Sequence, residues 1–347
     1  MTSAVSRWQP GQLLMVGFEG LVLPYALAKL ISAGRVGGVV LFSRNVEEPE
    51  QLRRLIESCH EAAPSGVPLL VTVDQEGGRV QRLREPWTRW PPMRALGRQG
   101  DLDKTRAVAK AMGIELAEMG IDLNFAPVVD VDSNPDNPVI GDRSFSSQPH
   151  EVSTQITAFI EGMTDAGVGS CAKHFPGHGD TSMDSHLDLP RLDHGLDRLR
   201  RVELPPFRAA IAAGVSSMMS AHVLFPKLDS KRPATLSPDV IGLLREELGY
   251  QGLVFSDDLE MKAVAKHFSV EERSLGALGA GIDSLLVCSK ADLRDEVLAK
   301  LERAPDGLVE QAMERMVALK EVVGGGLRRR GDCRSIPHVD HKKLAEV

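Results

Sequence analysis

The run "LVFSDD", Leu253 to Asp258, opens with three consecutive apolar residues and closes on two adjacent carboxylates. A strand with one wet face alternates apolar and polar residues, whereas a strand buried on both faces, as in a parallel sheet, does not need to. Seven further segments read the same way: "LLMVGF" from Leu13, "GGVVLF" from Gly37, "PLLVTVD" from Pro68, "LNFAPVVD" from Leu123, "VGSCAKH" from Val168, "SSMMSAHV" from Ser216 and "SLLVC" from Ser284. Eight such runs in 347 residues, with helix-like charged segments between them, predict a single (β/α)8 TIM-type barrel with some irregularity in its early strands. A doubly wound sheet is the alternative that the strand count disfavours.

The intervening segments carry helix signals. In "SPDVIGLLREELG", Ser237 is placed to cap, Pro238 takes the first helical position, Val240, Leu243, Leu244 and Leu248 share a face, and Gly249 ends the helix. Residues 103–119 repeat the pattern, with Val108, Met112, Leu116 and Met119 on one side. No repeat or linker interrupts residues 1–323, which form the expected catalytic barrel. Residues 324–347 begin with a Gly run and form a basic, nearly apolar-free tail, expected to be surface-draped or mobile.

Composition removes several function classes. A formal net charge of -7 opposes general binding to a phosphate backbone, so no nucleic-acid partner is expected. Cys59, Cys171, Cys288 and Cys333 are widely spaced and read as reduced thiols. The first twenty residues lack the basic start and long apolar middle of a signal peptide, and no run is long enough to span a bilayer. The expectation is a cytoplasmic monomer with no membrane partner.

In a barrel of this kind, polar residues at the C-terminal strand ends face the active-site mouth. The runs end at Asp74, at Asp130, at Lys173 and His174, at His222, and at Asp257 and Asp258. A strand-end Asp also caps helices, so each one alone supports a structural role equally well. Alternation along a strand leaves only one of Asp257 and Asp258 facing the barrel axis. A carboxylate there suits a nucleophile at a sugar anomeric carbon, or a metal ligand.

The second constellation is "KHFPGHGDTSMDSHLDLP", Lys173 to Pro190. Its Gly and Pro residues fold it tightly, and Asp184 and His186, two apart, are placed to hydrogen-bond as an acid/base with a pKa near neutrality. His174, His178, Asp180, Asp184 and His186 match no zinc-ligand spacing, so no metal and no cofactor is expected, and His178 is read as structural. "VDQEGGRVQRL" adds Arg82 beside Asp74, and Arg143 in "NPVIGDRSFS" reads either as a surface ion pair, the commoner case, or as a bidentate clamp for a ligand carboxylate, carbonyl or hydroxyl.

Five stretches, "DQEGGRVQRL", "NFAPVVDVDSNPDNPVIGDRSFS", "KHFPGHGDTSMDSHLDLP", "MSAHV" and "VFSDDLEM", resemble family 3 glycoside hydrolases over about residues 10–320, specifically the single-domain bacterial β-N-acetylglucosaminidases of peptidoglycan recycling. The resemblance implies a retaining exo-hydrolase, a β-N-acetylhexosaminidase that removes terminal non-reducing β-linked N-acetylglucosamine from cell-wall fragments. By the same resemblance Asp257 is the nucleophile, His186 the acid/base and Asp184 its partner. Asp74, Arg82, Arg143, Lys173 and His174 would hold the sugar, with His222 and Asp258 lining the pocket. Relatives with a second domain draw an acid/base carboxylate from it; residues 324–347 are too few to form one, which puts the weight on His186. The rivals are substrate-assisted hydrolysis by the acetamido oxygen, a metal-dependent hydrolase, and a sugar-binding protein without catalysis.

Overall fold

The computed structural model describes residues 8–185, 187–323 and 335–346. Eight parallel strands close into a barrel in the order β1 (Leu14–Val16), β10 (Ser284–Val287), β9 (Leu253–Asp258), β8 (Ser217–Ser220), β7 (Gly169–Phe175), β6 (Leu123–Asn124), β3 (Leu70–Val73) and β2 (Gly38–Leu41). Each falls within one of the eight apolar runs except β7, which continues one residue past its run to Phe175. Closure is made by β1 beside β10, with Leu14 opposite Leu285.

The barrel strands are buried throughout except at the C-terminal end of β9, where Asp257 and Asp258 are half-buried. Apolar side chains from opposite sides of the barrel meet inside it, as in the edge-to-face pair Phe125 and Phe255, whose centroids lie 5.3 Å apart. β6 is shorter than its run, which extends to Asp130. Pro127 has no N–H to donate to a ladder. Beyond it the chain still follows β7, with Val129 N donating to Lys173 O at 2.8 Å, and so delivers Asp130 to the mouth.

Two registers slip beside the site. Along β8 the single step from Met219 to Ser220 matches the double step from Lys173 to Phe175 on β7. Along β10 the two steps from Ser284 to Leu286 match three on β9, Phe255 to Asp258. An extra residue in a strand is a bulge, and bulges re-aim side chains.

Between β3 and the next helix lies a small hairpin absent from the sequence expectations, β4 (Gln75–Gly77) antiparallel to β5 (Val80–Gln81). Gly77 has φ +97°, and a Cβ there would stand 2.4 Å from Pro91 O, so the turn requires glycine. Gln75 locks the hairpin: its Oε1 accepts from Arg82 N at 2.9 Å and Leu83 N at 3.1 Å.

The helix Leu102–Met119 buries Val108, Met112, Leu116 and Met119, and Asp101 caps it by accepting from Lys104 N. Ser237 caps Pro238–Gly242 as expected, accepting from Val240 N, but the following turn, Leu243–Glu247, is π-wound. Of the C-terminal tail, residues 324–334 lie outside the described residues. The helix Val339–Leu344 docks on Leu102–Met119, where His341 Nδ1 and Glu115 are 3.0 Å apart and His338 Nε2 and Glu118 are 2.8 Å apart. At the opposite end of the barrel from the mouth, Lys320 is enclosed and donates to Gln12 Oε1 at 2.7 Å and Pro68 O at 2.9 Å.

Candidate active site

The C-terminal strand ends surround a cleft of about 200 Å³. Asp74, Glu76, Arg82, Arg143, Lys173, His174, Asp257 and Asp258 line it, with Phe42, Phe125 and Met261 supplying apolar wall. Seven of the residues expected from sequence therefore share one cavity.

A chain of ion pairs forms one wall. Arg143 donates through Nε and Nη2 to the two oxygens of Glu76, both at 2.8 Å. Lys173 Nζ sits 2.6 Å from Glu76 Oε1 and donates to Asp74 Oδ1 at 2.7 Å. Arg82 Nη2 reaches Asp74 Oδ2 at 3.4 Å. Burial by itself would push Glu76 and Asp74 upward; the adjacent cations outweigh it and hold both carboxyls below their ordinary range. Burial likewise works against the Lys173 ammonium, yet Asp74 and Glu76 carry its pKa above the usual lysine value. With two anions and three cations, the wall keeps one net positive charge and a set of fixed donors.

Asp130 organises a second group. It accepts from His174 Nδ1 at 2.8 Å and from His178 N at 2.7 Å. The carboxylate thereby fixes the tautomer of His174 and leaves its Nε2 as the remaining ring nitrogen. His178 lines the cleft, but its ring is engaged within its own loop, Nε2 with Ser185 Oγ at 3.0 Å and Nδ1 with Thr181 Oγ1 at 2.8 Å. Burial, with His174 adding to it, pushes its pKa down to about 4. Among the described residues no three His, Cys, Asp or Glu side chains assemble as a metal site.

Asp257 and Asp258 both border the cleft, where β9 slips against β10. Their settings differ. Asp257 Oδ1 accepts from Asp258 N at 2.7 Å, while Asp258 Oδ1 accepts from Glu260 N at 3.0 Å. Burial raises the Asp258 carboxyl to about 7, so it is substantially protonated at neutral pH.

His222 is not among the lining residues; it is fully buried behind them, with Nδ1 2.8 Å from Thr235 Oγ1 and Nε2 donating to Asp258 O at 3.1 Å. Its contact is therefore with the backbone beside Asp257. Asp184 is half-buried on the loop after β7 and is not a lining residue, although its neighbour Ser185 is. His186 lies outside the described residues. Sequence reasoning missed Glu76, whose signal was available: it stands two residues after Asp74, so an extended backbone puts both on one side.

Residues 7–319 match the glycosyl hydrolase family 3 N-terminal domain. The β-hexosaminidase of Thiobacillus denitrificans is 43% identical over 295 residues, which are 83% of this chain and 81% of that protein. A glycoside hydrolase family 3 β-N-acetylglucosaminidase from Paenibacillus sp. str. FPU-7 superposes with a TM-score of 0.90 at 40% identity, covering 99% of this chain and 68% of that one. NagZ from Neisseria gonorrhoeae superposes with a TM-score of 0.84 at 33% identity, covering 97% and 96%. No helix among the described residues is long and apolar enough to cross a membrane. The chain is a glycoside hydrolase that belongs to glycosyl hydrolase family 3, and its likeness within that family is to β-hexosaminidases.

Proposed function

We propose that the chain is a retaining exo-β-N-acetylhexosaminidase that removes terminal non-reducing N-acetylglucosamine from peptidoglycan fragments. The observation that carries the reading is the enclosure of Asp257 in the same small cleft as the Asp74–Lys173–Glu76–Arg143 wall. A volume of about 200 Å³ is below the roughly 300–1,000 Å³ of drug-sized pockets and suits a single ring, as an exo-acting enzyme requires. The wall residues, with Arg82 and His174, would hold the sugar hydroxyls and acetamido group.

In the first step the Asp257 carboxylate bonds to the anomeric carbon while the His186 imidazolium gives its proton to the departing glycosidic oxygen. In the second, the now neutral imidazole takes a proton from water, the hydroxide oxygen bonds to the anomeric carbon, and the carboxylate leaves. Two inversions give net retention. Asp184 would keep the imidazole basic and oriented. This reading confines catalysis to the barrel of residues 1–323. Among the described residues the free thiols Cys59, Cys171 and Cys288 are buried, which suits a reducing compartment.

Because Asp257 and Asp258 both border the cleft, substrate-assisted attack by the acetamido oxygen is the second reading, with Asp258 as the protonated partner. Two measurements decide. The enzyme should hydrolyse 4-nitrophenyl β-N-acetylglucosaminide far faster than the β-glucoside, with excess chelator present or absent. A slow fluorinated donor should then label the peptide containing Asp257. Turnover without any label on Asp257 would favour the substrate-assisted path, and preference for the glucoside would sink the hexosaminidase assignment.

A further inference from the structure

The loop after β7 is tied to the segment that continues from β9 at three points. Ala263 N donates to Ser185 O at 3.2 Å. Lys266 Nζ donates to Leu187 O at 2.8 Å and to Asp188 Oδ2 at 3.1 Å. His267 Nε2 lies 2.7 Å from Asp188 Oδ1. The His267 hydrogen bond, aided by Leu189 N and Lys266, holds the Asp188 carboxyl below its ordinary range. The anchored residues stand on both sides of position 186 in the chain, and the anchoring segment begins five residues after Asp258.

Nucleophile strand and acid/base loop thus have a common anchor. A general acid acts only within hydrogen-bond reach of its oxygen, and small misplacements are costly. We propose that Asp188, clasped by Lys266 and His267, is a positioning residue that holds the acid/base loop in register with the Asp257 strand. The inference rests on the reading of His186 as acid/base. The side chains of the clasp are each more than two-fifths exposed, so it is weak and screened by salt. It biases the loop without locking it.

The test compares kcat/KM on two substrates, a 2,4-dinitrophenyl glycoside, whose leaving group needs no proton, and N,N'-diacetylchitobiose, whose leaving group does. Asp188→Ala should lower the chitobiose value about three- to tenfold and leave the dinitrophenyl value within about twofold, the scale of one or two exposed ion pairs. Asp188→Glu, which keeps a carboxylate for both Lys266 and His267, should recover most of the chitobiose value that Asp188→Ala loses. Equal losses on both substrates, no loss on chitobiose, or an Asp188→Glu variant as impaired as Asp188→Ala would overturn the clasp. His186→Ala separates the two levels. If it spares the dinitrophenyl glycoside and Asp188→Ala does not discriminate, only the clasp falls. If His186→Ala strikes both substrates equally, the acid/base assignment falls and takes the clasp with it.

Discussion

Lys173 and Lys320 are two lysines sealed inside one barrel, 2% and 1% exposed, one at the mouth and one at the base. At the mouth two carboxylates flank the amine at 2.7 Å and 2.6 Å, and its charge is secured. At the base the amine meets two neutral acceptors and lies 5.0 Å from the ring centroid of Trp8, and burial drags its pKa down to about 7. Depth alone therefore does not set charge; the partners do. The mouth keeps permanent charges arranged for a polar ligand, while the base uses a lysine mainly as a plug that satisfies buried oxygens.

If that division holds, substitutions at the two ends should separate activity from stability. The largest effect belongs to Asp257→Ala, which should cut kcat/KM on an aryl N-acetylglucosaminide by about 10⁴-fold or more while leaving the unfolding midpoint close to wild type. Strong residual activity would remove Asp257 from the chemistry and erase the distinction between the ends. Glu76→Ala should strike both properties. Arg143 loses its bidentate partner and Lys173 one of its two, so urea unfolding should register a loss of about 3–5 kcal/mol, with a raised KM alongside. Unchanged stability would mean that water or another group takes over the role of Glu76.

Lys320→Met gives the smallest and most specific effect. The folded chain disfavours the Lys320 ammonium down to about 7, whereas the unfolded chain keeps it protonated up to the ordinary 10.5. The unfolded state therefore binds the extra proton across that window, and the wild-type contribution to stability rises from pH 7 to 10.5 and is lost as pH falls back through 7. The methionine variant should lack that slope, a differential on the order of 1–3 kcal/mol between urea titrations at pH 7 and pH 10, with kcat unchanged. Identical pH slopes in the two proteins would show that Lys320 keeps its charge and that the contrast with Lys173 is false.

The sequence made the strands legible because burial on both faces leaves an apolar run whatever the local irregularity. It could not show where a strand bulges. Lys173 and His174, and Asp257 and Asp258, border the cleft beside slips against β8 and β10 that no single segment encodes. Glu76 escaped notice for a related reason: its role is defined by Arg143, 67 residues away, and Lys173, which only the closed barrel brings together. His222 showed the limit of reading strand ends as lining residues, since its ring is spent on Thr235 and a backbone carbonyl. The helix at 237–247 was legible at its cap, where Ser237 acts locally, and not in its π turn, which the cap does not specify.

The seam between β1 and β10 has a consequence for how the protein is made. The Ser284 hydroxyl donates to the Leu13 carbonyl, its partner 271 residues earlier. At a synthesis rate of about 5–20 residues per second, β1 leaves the ribosome roughly 15 to 55 seconds before its neighbour exists. For that interval the nascent chain carries an open β edge, available to any extended segment nearby. A ribosome stalled before residue 284 would release a sheet that cannot close, so the seam makes completion of synthesis a condition for hiding the edge.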